Sequence, residues 1–379
     1  MRLVSLQKIE EGMLLGKRVY KEDGNILLEK GAVLRKIYIK KLSDRGIPCV
    51  YIEDEISEDI EVNETIDPVL KLKAVQNIKH IIESVAPTKS KAKEKIKRAN
   101  LISKKTLADM RNIVFQLIED LQNMEDGLLR VVEMMGTDMY LYSHSVNVAV
   151  ISMMIGMEMI ECNSQLEKED KIVALGMGAL LHDIGKCMID HQILNKKGQL
   201  TEVEMDEIKN HTLYGYDMIN EIEEISAMKY GGIIKGCVLL HHENLDGSGY
   251  PYGWTQEKIM DYARIIRVAD IYAAMTVDRI YQKKKPPYEV LEQLSAWCYS
   301  FVDVNVFKAL KNGLALYPEG TVVLMNTGEK GIVTNNNKSA ADRPIVKIIE
   351  DPEGAKHLGF KVIDMVKEKT YFIMDTIDY

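Results

Sequence analysis

The chain lacks any stretch able to cross a bilayer. Its longest apolar run, Val146 to Ile160, is interrupted by Asn147, Ser152 and Glu158 and falls short of the ~20 residues a span requires, so it reads as a buried helix. Cysteine is scarce and shows no pairing pattern. The five cysteines, Cys49, Cys162, Cys187, Cys237 and Cys298, include no C-x-x-C, which argues against a disulfide framework and suits a reducing cytosol. Positive charge is also in deficit: the net charge of -8 excludes a general binder of nucleic-acid polymers or membrane surfaces, while leaving room for a local basic pocket that holds a phosphate. The expected partner is therefore a small molecule. No internal repeat is present, and the start, MRLVSLQKIEEG, reaches acidic residues before any long apolar segment; a cytoplasmic protein is expected. There is no G-x-x-x-x-G-K-S/T loop, Gly12 to Arg18 being only superficially like one, and no partnered nucleophile for a covalent triad.

What remains is an ordinary globular composition, 46% hydrophobic and 28% charged over 379 residues, enough for about two or three domains. Residues 1-60 read as a small α/β module: Leu14 to Tyr20 and Ile26 to Leu28 flank the turn Glu22-Asp23-Gly24-Asn25, Ile37 to Leu42 suggests a helix ended by Gly46, and Cys49 to Ile52 a strand. The acidic stretch Glu53 to Asp67 suits a linker. Within 61-124 and slightly beyond, helices are expected over Pro68 to Ser84 and Leu101 to Met134, with a lysine-rich run from Lys89 to Arg98 between them that reads as solvated surface. Leu117, Ile118, Leu121 and Met124 recur at helical spacing, a face that docks on the next domain or pairs with a second subunit, so a homodimer through 101-134 is one expectation. Residues 125-312 are helical in pattern. From 313 to 379, β-rich segments such as Gly320 to Leu324, Gly331 to Thr334 and Pro344 to Lys347 suggest a small antiparallel barrel or sheet. The fold class expected is thus mainly α, with a small α/β module before it and a small β-rich segment after it.

The chemistry concentrates in the helical part. Of eight histidines, six fall between His144 and His242. His182-Asp183 closes the run Leu180-Leu181; an imidazole beside a carboxylate is a divalent-metal ligand pair, and neighbours on one helix cannot both face the core. His144 sits in Tyr142-Ser143-His144-Ser145-Val146-Asn147, His211 in Asn210-His211-Thr212, His241-His242 follow Val238-Leu239-Leu240, and Asp270 lies in Arg267-Val268-Ala269-Asp270. These implants recur about every thirty residues, one helix plus a loop, so antiparallel helices can aim a ligand set at one centre. Left to separate partners, each buried polar group that failed to find one would cost about 1-3 kcal/mol; a shared metal centre satisfies them together.

The string His241-His242-Glu243-Asn244-Leu245-Asp246-Gly247-Ser248-Gly249-Tyr250-Pro251, with His182-Asp183 and the segment Asp270 to Tyr281, resembles the HD-GYP phosphodiesterases. The likeness covers residues 125-312. It implies an HD-type helical bundle with a two- or three-metal centre, of iron or manganese, that hydrolyses the bacterial messenger cyclic di-GMP to linear pGpG or GMP by a hydroxide bridging the metals. It places metal ligands at His144, His182, Asp183, His211, His241, His242 and Asp270, with Asp183 as the bridge. It assigns Lys186 and Arg279 to substrate phosphate, makes Asp183 and Lys186 the catalytic pair, and lets Tyr250 line the pocket while Gly247 and Gly249 permit the loop's turns. Tyr140 stands where three-metal members carry a glutamate, so two divalent cations are expected. Asp190-His191, Lys197, Asn244 and Ala273 also depart from the family pattern, which leaves hydrolysis of another cyclic dinucleotide such as cyclic GMP-AMP, or binding without turnover, as alternatives. Lys283-Lys284-Lys285 read as surface lysines.

Overall fold

The computed structural model describes residues 1-21, 23-86, 102-124, 127-131, 140-162, 164-196, 198-277 and 285-377, with 140, 141 and 357-360 described through their backbone alone. The first element is the strand β1 (Arg2–Ser5), followed by β2 (Leu14–Leu15), β3 (Val19–Tyr20), β4 (Ile26–Leu28), α1 (Lys36–Asp44) and β5 (Cys49–Glu53). β5 is the middle of an antiparallel sheet between β1 and β2, while β3 and β4 form the expected hairpin, with Val19 opposite Leu28. Val4, Leu15, Leu34, Leu42, Val50 and Ile52 give this module a core of its own. Gly46 closes α1 at a φ of 64°, a left-handed conformation that costs glycine little.

The acidic stretch after β5 is more than a linker. Ser57, Ile60 and Val62 are buried, Ile60 sharing a small core with Val322, Ile332 and Ile349. The terminal ammonium of Met1 donates to the carbonyls of Ser57 and Ile60, and Lys347 Nζ reaches Asp59 at 2.6 Å and the Ile56 carbonyl at 3.2 Å. Its charge content concealed these apolar anchors: a few buried side chains suffice to pin a segment whose other residues stay in water.

Helix α2 (Pro68–Val85) starts as its sequence dictates, with Pro68 in the first turn and the Asp67 carboxylate accepting from the amides of Val69 and Leu70 at 2.7 and 2.9 Å. Ser103 caps α3 (Lys104–Gln122). That helix ends well before Met134, the chain passing through Gly127 at a φ of 67° into an extended stretch where Leu129 bridges to Leu314. Leu107, Met110, Val114, Leu117, Ile118 and Leu121 of α3 are all buried inside the chain, where α3 packs against α2 and α5. The apolar face expected to pair two subunits is therefore consumed by packing within one, and the homodimer through 101-134 has no support here. The lysine-rich run lies outside the described residues.

The centre of the molecule is α4 (Tyr140–Met159) against α5 (Gln165–Leu181). Every residue of α4 from Ser143 to Gly156 is buried, which is why its sequence is apolar on all sides. Around this pair lie α6 (His191–Leu194), α7 (Glu202–Lys209), α8 (His211–Asn220), α9 (Glu223–Ala227), α10 (Gly231–Leu240), α11 (Asp261–Thr276), α12 (Pro287–Ala296) and α13 (Val304–Gly313). A 3-10 turn, Ile184–Met188, links α5 to α6 and packs on α8. The chain closes with β6 (Val322–Met325), β7 (Lys330–Asn335), β8 (Ile345–Glu350), β9 (Lys356–Asp364) and β10 (Ile373–Thr376) in one antiparallel sheet of order β10-β6-β7-β8-β9. Val323, Met325, Val333, Val346 and Ile348 carry that sheet into the main core. Among the described residues no helix is long and apolar enough to cross a membrane.

The seam between helices and sheet is fastened by Arg130, whose guanidinium forks onto Glu319 with Nη2 2.7 Å from Oε1; both side chains are nearly buried. Glu319→Ala would leave the guanidinium desolvated without its counter-charge, and a loss of about 3-5 kcal/mol is expected, read from the urea midpoint. A midpoint within experimental error of the parent would show that the pair contributes nothing.

Candidate metal centre

Three helices end at the same place. Alpha5 stops at Leu181, α7 at Lys209 and α10 at Leu240, and a helix leaves its last carbonyls without intrahelical partners. In each case a histidine just past or at the break turns its Nδ1 back to such a carbonyl: His182 to Ala179 at 2.7 Å, His211 to Ile208 at 2.7 Å, and His241 to Val238 and Cys237 at 3.0 and 3.1 Å. A carbonyl oxygen can only accept, so Nδ1 carries the proton and Nε2 presents a lone pair. The negative ends of three helix dipoles gather at the same point and favour a cation there.

These lone pairs converge on Asp183, which opens the 3-10 turn. Its carboxylate lies 3.3 Å from His182 Nε2, 3.3 Å from His211 Nε2, 3.9 Å from His241 Nε2 and 2.5 Å from the Lys186 ammonium. His211 and His241 bring their Nε2 atoms to 3.3 Å from each other. Both rings are held neutral, so two lone pairs face one another across a gap that a shared cation resolves. His182 Nε2 and Asp183 Oδ1 are buried without a hydrogen-bond partner, which is what a donor set for a metal leaves behind.

The ligand atoms fall into two groups, each within 4.8 Å: Asp183 with His211, His241 and His242, and Asp183 with His144 and His182. Asp183 belongs to both. Six of the seven sequence-assigned ligands therefore come together directly. Asp270, from the middle of α11, is in neither group and instead meets His144 Nε2 at 3.0 Å. His242 differs from the other rings: Arg267 Nη1 donates to its Nδ1 at 3.3 Å, so in the metal-free neutral ring the proton belongs on Nε2, and it must move to Nδ1, at the expense of the Arg267 contact, before Nε2 can take a cation. Imidazole and carboxylate donors of this kind fit a divalent transition metal better than calcium or magnesium.

Burial sets the protonation states. It is the largest influence on His211, held down to about 4, and drives His241 and His242 far below the usual histidine range, neighbouring rings adding to it for both. His144 is lowered by burial as well, against the pull of Asp270. Burial also opposes ionisation of Asp183, but His182, Lys186 and His211 outweigh it and hold the carboxyl well below its ordinary range. Asp270 is likewise lowered, with His144 overcoming its burial. For His182 burial pulls downward, yet the adjacent Asp183 charge prevails and raises the ring.

The loop after α10 forms one wall. Tyr250 stacks on His242 with ring centroids 4.6 Å apart and faces His211 edge-on. Gly247 adopts a φ of 82°, and a Cβ on Gly249 would lie 2.3 Å from the Asn244 amide nitrogen and 2.5 Å from the His242 carbonyl oxygen, so both glycines are needed as expected. Two further residues escaped the sequence reading. Glu243, buried, accepts from the amides of Tyr252 at 2.8 Å and Trp254 at 3.0 Å and so braces the loop from inside. Arg267 forks onto Asn244 Oδ1 at 3.2 and 3.0 Å as well as reaching His242. Its spacing was the available signal, one helical turn before Asp270. Asn244, noted as a departure from the family pattern, thus has a partner on α11. Arg279, Lys283, Lys284, Lys197 and the Tyr140 side chain lie outside the described residues, so the structure places neither the second phosphate contact nor the residue on which the metal count turned.

Comparison with known proteins finds a family match that includes every assigned metal ligand except His144. The family described as HD domain matches residues 152-304, and the KOW domain associated with HD domain matches 322-379. Cyclic di-GMP phosphodiesterase PA4108 of Pseudomonas aeruginosa is 34% identical over 63% of this chain and 55% of its own length. The 3′3′-cGAMP-specific phosphodiesterase 3 of Vibrio cholerae is 32% identical over 50% of this chain and 39% of its own, and the cyclic di-GMP phosphodiesterase of Thermotoga maritima 34% over 49% and 50%. The chain spans between 39% and 55% of the length of these curated relatives. Among solved structures, an HD-G-Y-P protein of Bdellovibrio bacteriovorus aligns at 15% identity with a TM-score of 0.45, over 82% of this chain and 98% of that one.

Two outcomes follow from the geometry. A Cβ on Gly185 would lie 1.9 Å from the His211 carbonyl oxygen and 2.5 Å from the Gly215 nitrogen, so Gly185→Ala should force the 3-10 turn off α8, lowering stability by about 1-3 kcal/mol and weakening metal binding. Parent-like metal affinity in that variant would refute the close fit. A cation must also displace the proton that a raised His182 retains, so Mn2+ affinity should fall about tenfold per pH unit on the acid side of that titration and level off on the alkaline side. His211 enters only near its own value of about 4. Calorimetric titration from the acid side of the ordinary histidine range to well above it reads this, and a flat profile contradicts it.

Proposed function

We propose that this HD-domain chain is a cytoplasmic phosphodiesterase that uses two divalent cations, iron or manganese, to hydrolyse cyclic di-GMP to pGpG or GMP. The observation that carries the reading is the pair of ligand groups sharing Asp183, since one bridging carboxylate is how a protein holds two cations close together. Bound there, such a pair supplies Lewis-acid polarisation of the phosphodiester and a nucleophile at neutral pH. The names of the relatives, cyclic di-GMP and 3′3′-cGAMP phosphodiesterases, point to the substrate class. The free cysteines suit a reducing compartment. The domain reading goes with it: a module at 1-60, a helical segment at 61-124, the phosphohydrolase at 125-312 and a β-rich domain at 313-379.

The chain's own groups then have distinct tasks. His144, His182, His211, His241, His242 and Asp270 join Asp183 in holding the cations, and the carbonyl-bonded rings keep their tautomers fixed. Lys186, one turn from Asp183 and with its side chain a quarter exposed, binds a phosphoryl oxygen through its ammonium and donates a proton to the leaving 3′-oxygen. Tyr250, held flat on His242, offers a ring against which a guanine can stack. Arg279 is assigned to the second phosphate by family likeness alone. The second reading, hydrolysis of 3′3′-cGAMP, is favoured by the Vibrio cholerae relative.

Protein purified without oxygen and assayed with cyclic di-GMP and 3′3′-cGAMP, alongside metal analysis, tests this. Two equivalents of metal and turnover of cyclic di-GMP are expected, with both lost in Asp183→Asn. Lys186→Ala should keep the metal and lose about 10²-10⁴-fold in turnover, the range of a general acid. Metal-free protein that binds the dinucleotide without cutting it would make the chain a receptor. Faster turnover of 3′3′-cGAMP would move the substrate assignment to the hybrid dinucleotide.

A further inference from the structure

Away from the metal centre, between the N-terminal module and the helices, lies a cavity of about 180 Å³. That is slightly more than the ~150 Å³ apolar void that admits benzene. Val19 and Ile47 from the module, Leu72 from α2 and Leu129 give it apolar walls. The rim has the opposite character. Arg18, Lys21, Arg45 and Lys71, with the nearly buried Arg130, share the lining with one carboxylate, Glu64. Arg18 pairs with Glu29 at 2.8 Å, Arg130 with Glu319, and Glu64 with Lys17 at 2.9 Å, and Lys71 is engaged as well, so the positive balance of the lining rests on Lys21 and Arg45. Cationic groups above low-dielectric walls focus their field into the opening. In a chain of net charge -8, a concave basic patch of this kind stands against the overall sign.

The cavity is placed to act on the metal centre without belonging to it. None of the seven assigned ligands lines it. Asn147 and Val150 of α4 do, about one and two turns beyond His144 on the same helix. Its other helical wall is α2, through Pro68, Lys71 and Leu72, and α2 packs further along on the Ile184–Met188 turn that carries Lys186. An occupant would therefore touch the helix that carries His144 and the helix that packs on the turn carrying Lys186.

We propose that this cavity is an effector site for a small organic anion, a carboxylate or phosphate monoester on an apolar body of about one ring. The apolar walls take the body and the rim, chiefly Lys21 and Arg45, takes the charge. The claim does not depend on which dinucleotide is hydrolysed, because its readouts are binding and metal affinity.

Calorimetry on the full chain with benzoate, phenyl phosphate and neutral benzyl alcohol tests it. One-site saturable binding is expected for at least one anion, with the alcohol about tenfold weaker; which anion binds tells a carboxylate effector from a phosphate ester. The double variant Lys21→Glu/Arg45→Glu should weaken the anion about tenfold with its unfolding midpoint unchanged. Asn63→Trp, from an exposed position on the lining, should reduce binding of all three probes by filling the space. Saturating anion should shift Mn2+ affinity about threefold, and Mn2+ should shift anion affinity by the same factor. No saturable binding, or equal binding by the charge-reversed variant, would overturn the site; an unmoved Mn2+ affinity would overturn its role as an effector site.

Discussion

The molecule is organised around a carboxylate kept ionised where water does not reach it. The Asp183 side chain is 3% exposed, and an isolated charge at such depth costs several kcal/mol. Positive or polarisable partners have to come to it from several directions at once. The end of α5, the 3-10 turn, the start of α8 and the end of α10 supply them. That requirement accounts for the meeting of these four segments better than apolar packing does, because apolar contact specifies no direction.

The histidines are aimed by a device used three times over. A helix stops, its terminal carbonyl lacks a partner, and the next imidazole satisfies it through Nδ1. One bond settles three things: the stray carbonyl is paired, the tautomer is chosen, and the ring's other nitrogen is turned toward the centre. His242 is oriented from the opposite side by a cation, Arg267, which sets its tautomer apart from those of the other candidate ligands. Glu243 does for the backbone of the following loop what the carbonyls do for the rings, using both carboxylate oxygens on the amides of Tyr252 and Trp254.

Outside the centre, polar contacts join the segments alongside the apolar residues that carry the C-terminal sheet into the main core. Arg130 and Glu319 tie the stretch after α3 to the segment before β6, and Lys347 ties β8 to the acidic segment after β5. Contacts of this kind are specific in geometry and modest in net energy.

Much of this was legible from residues alone. Alternation and turn chemistry marked the hairpin at Val19 to Leu28 and the C-terminal strands, an apolar run on all faces marked α4 as buried, and Asp67-Pro68 announced α2. The spacing of His144, His182, His211, His241 and Asp270 indicated one convergence of polar groups. Those features are local, and near neighbours in sequence decide them. What the tertiary structure alone decided was direction: that the candidate ligands sit mostly at helix ends instead of along helix faces, that Asp183 belongs to both candidate groups while Asp270 reaches the cluster through His144, that the α3 face is spent within the chain, and that Arg267 finds Asn244. Each depends on where a side chain points after helices distant in sequence have packed, and periodicity along one helix carries no information about the orientation of another.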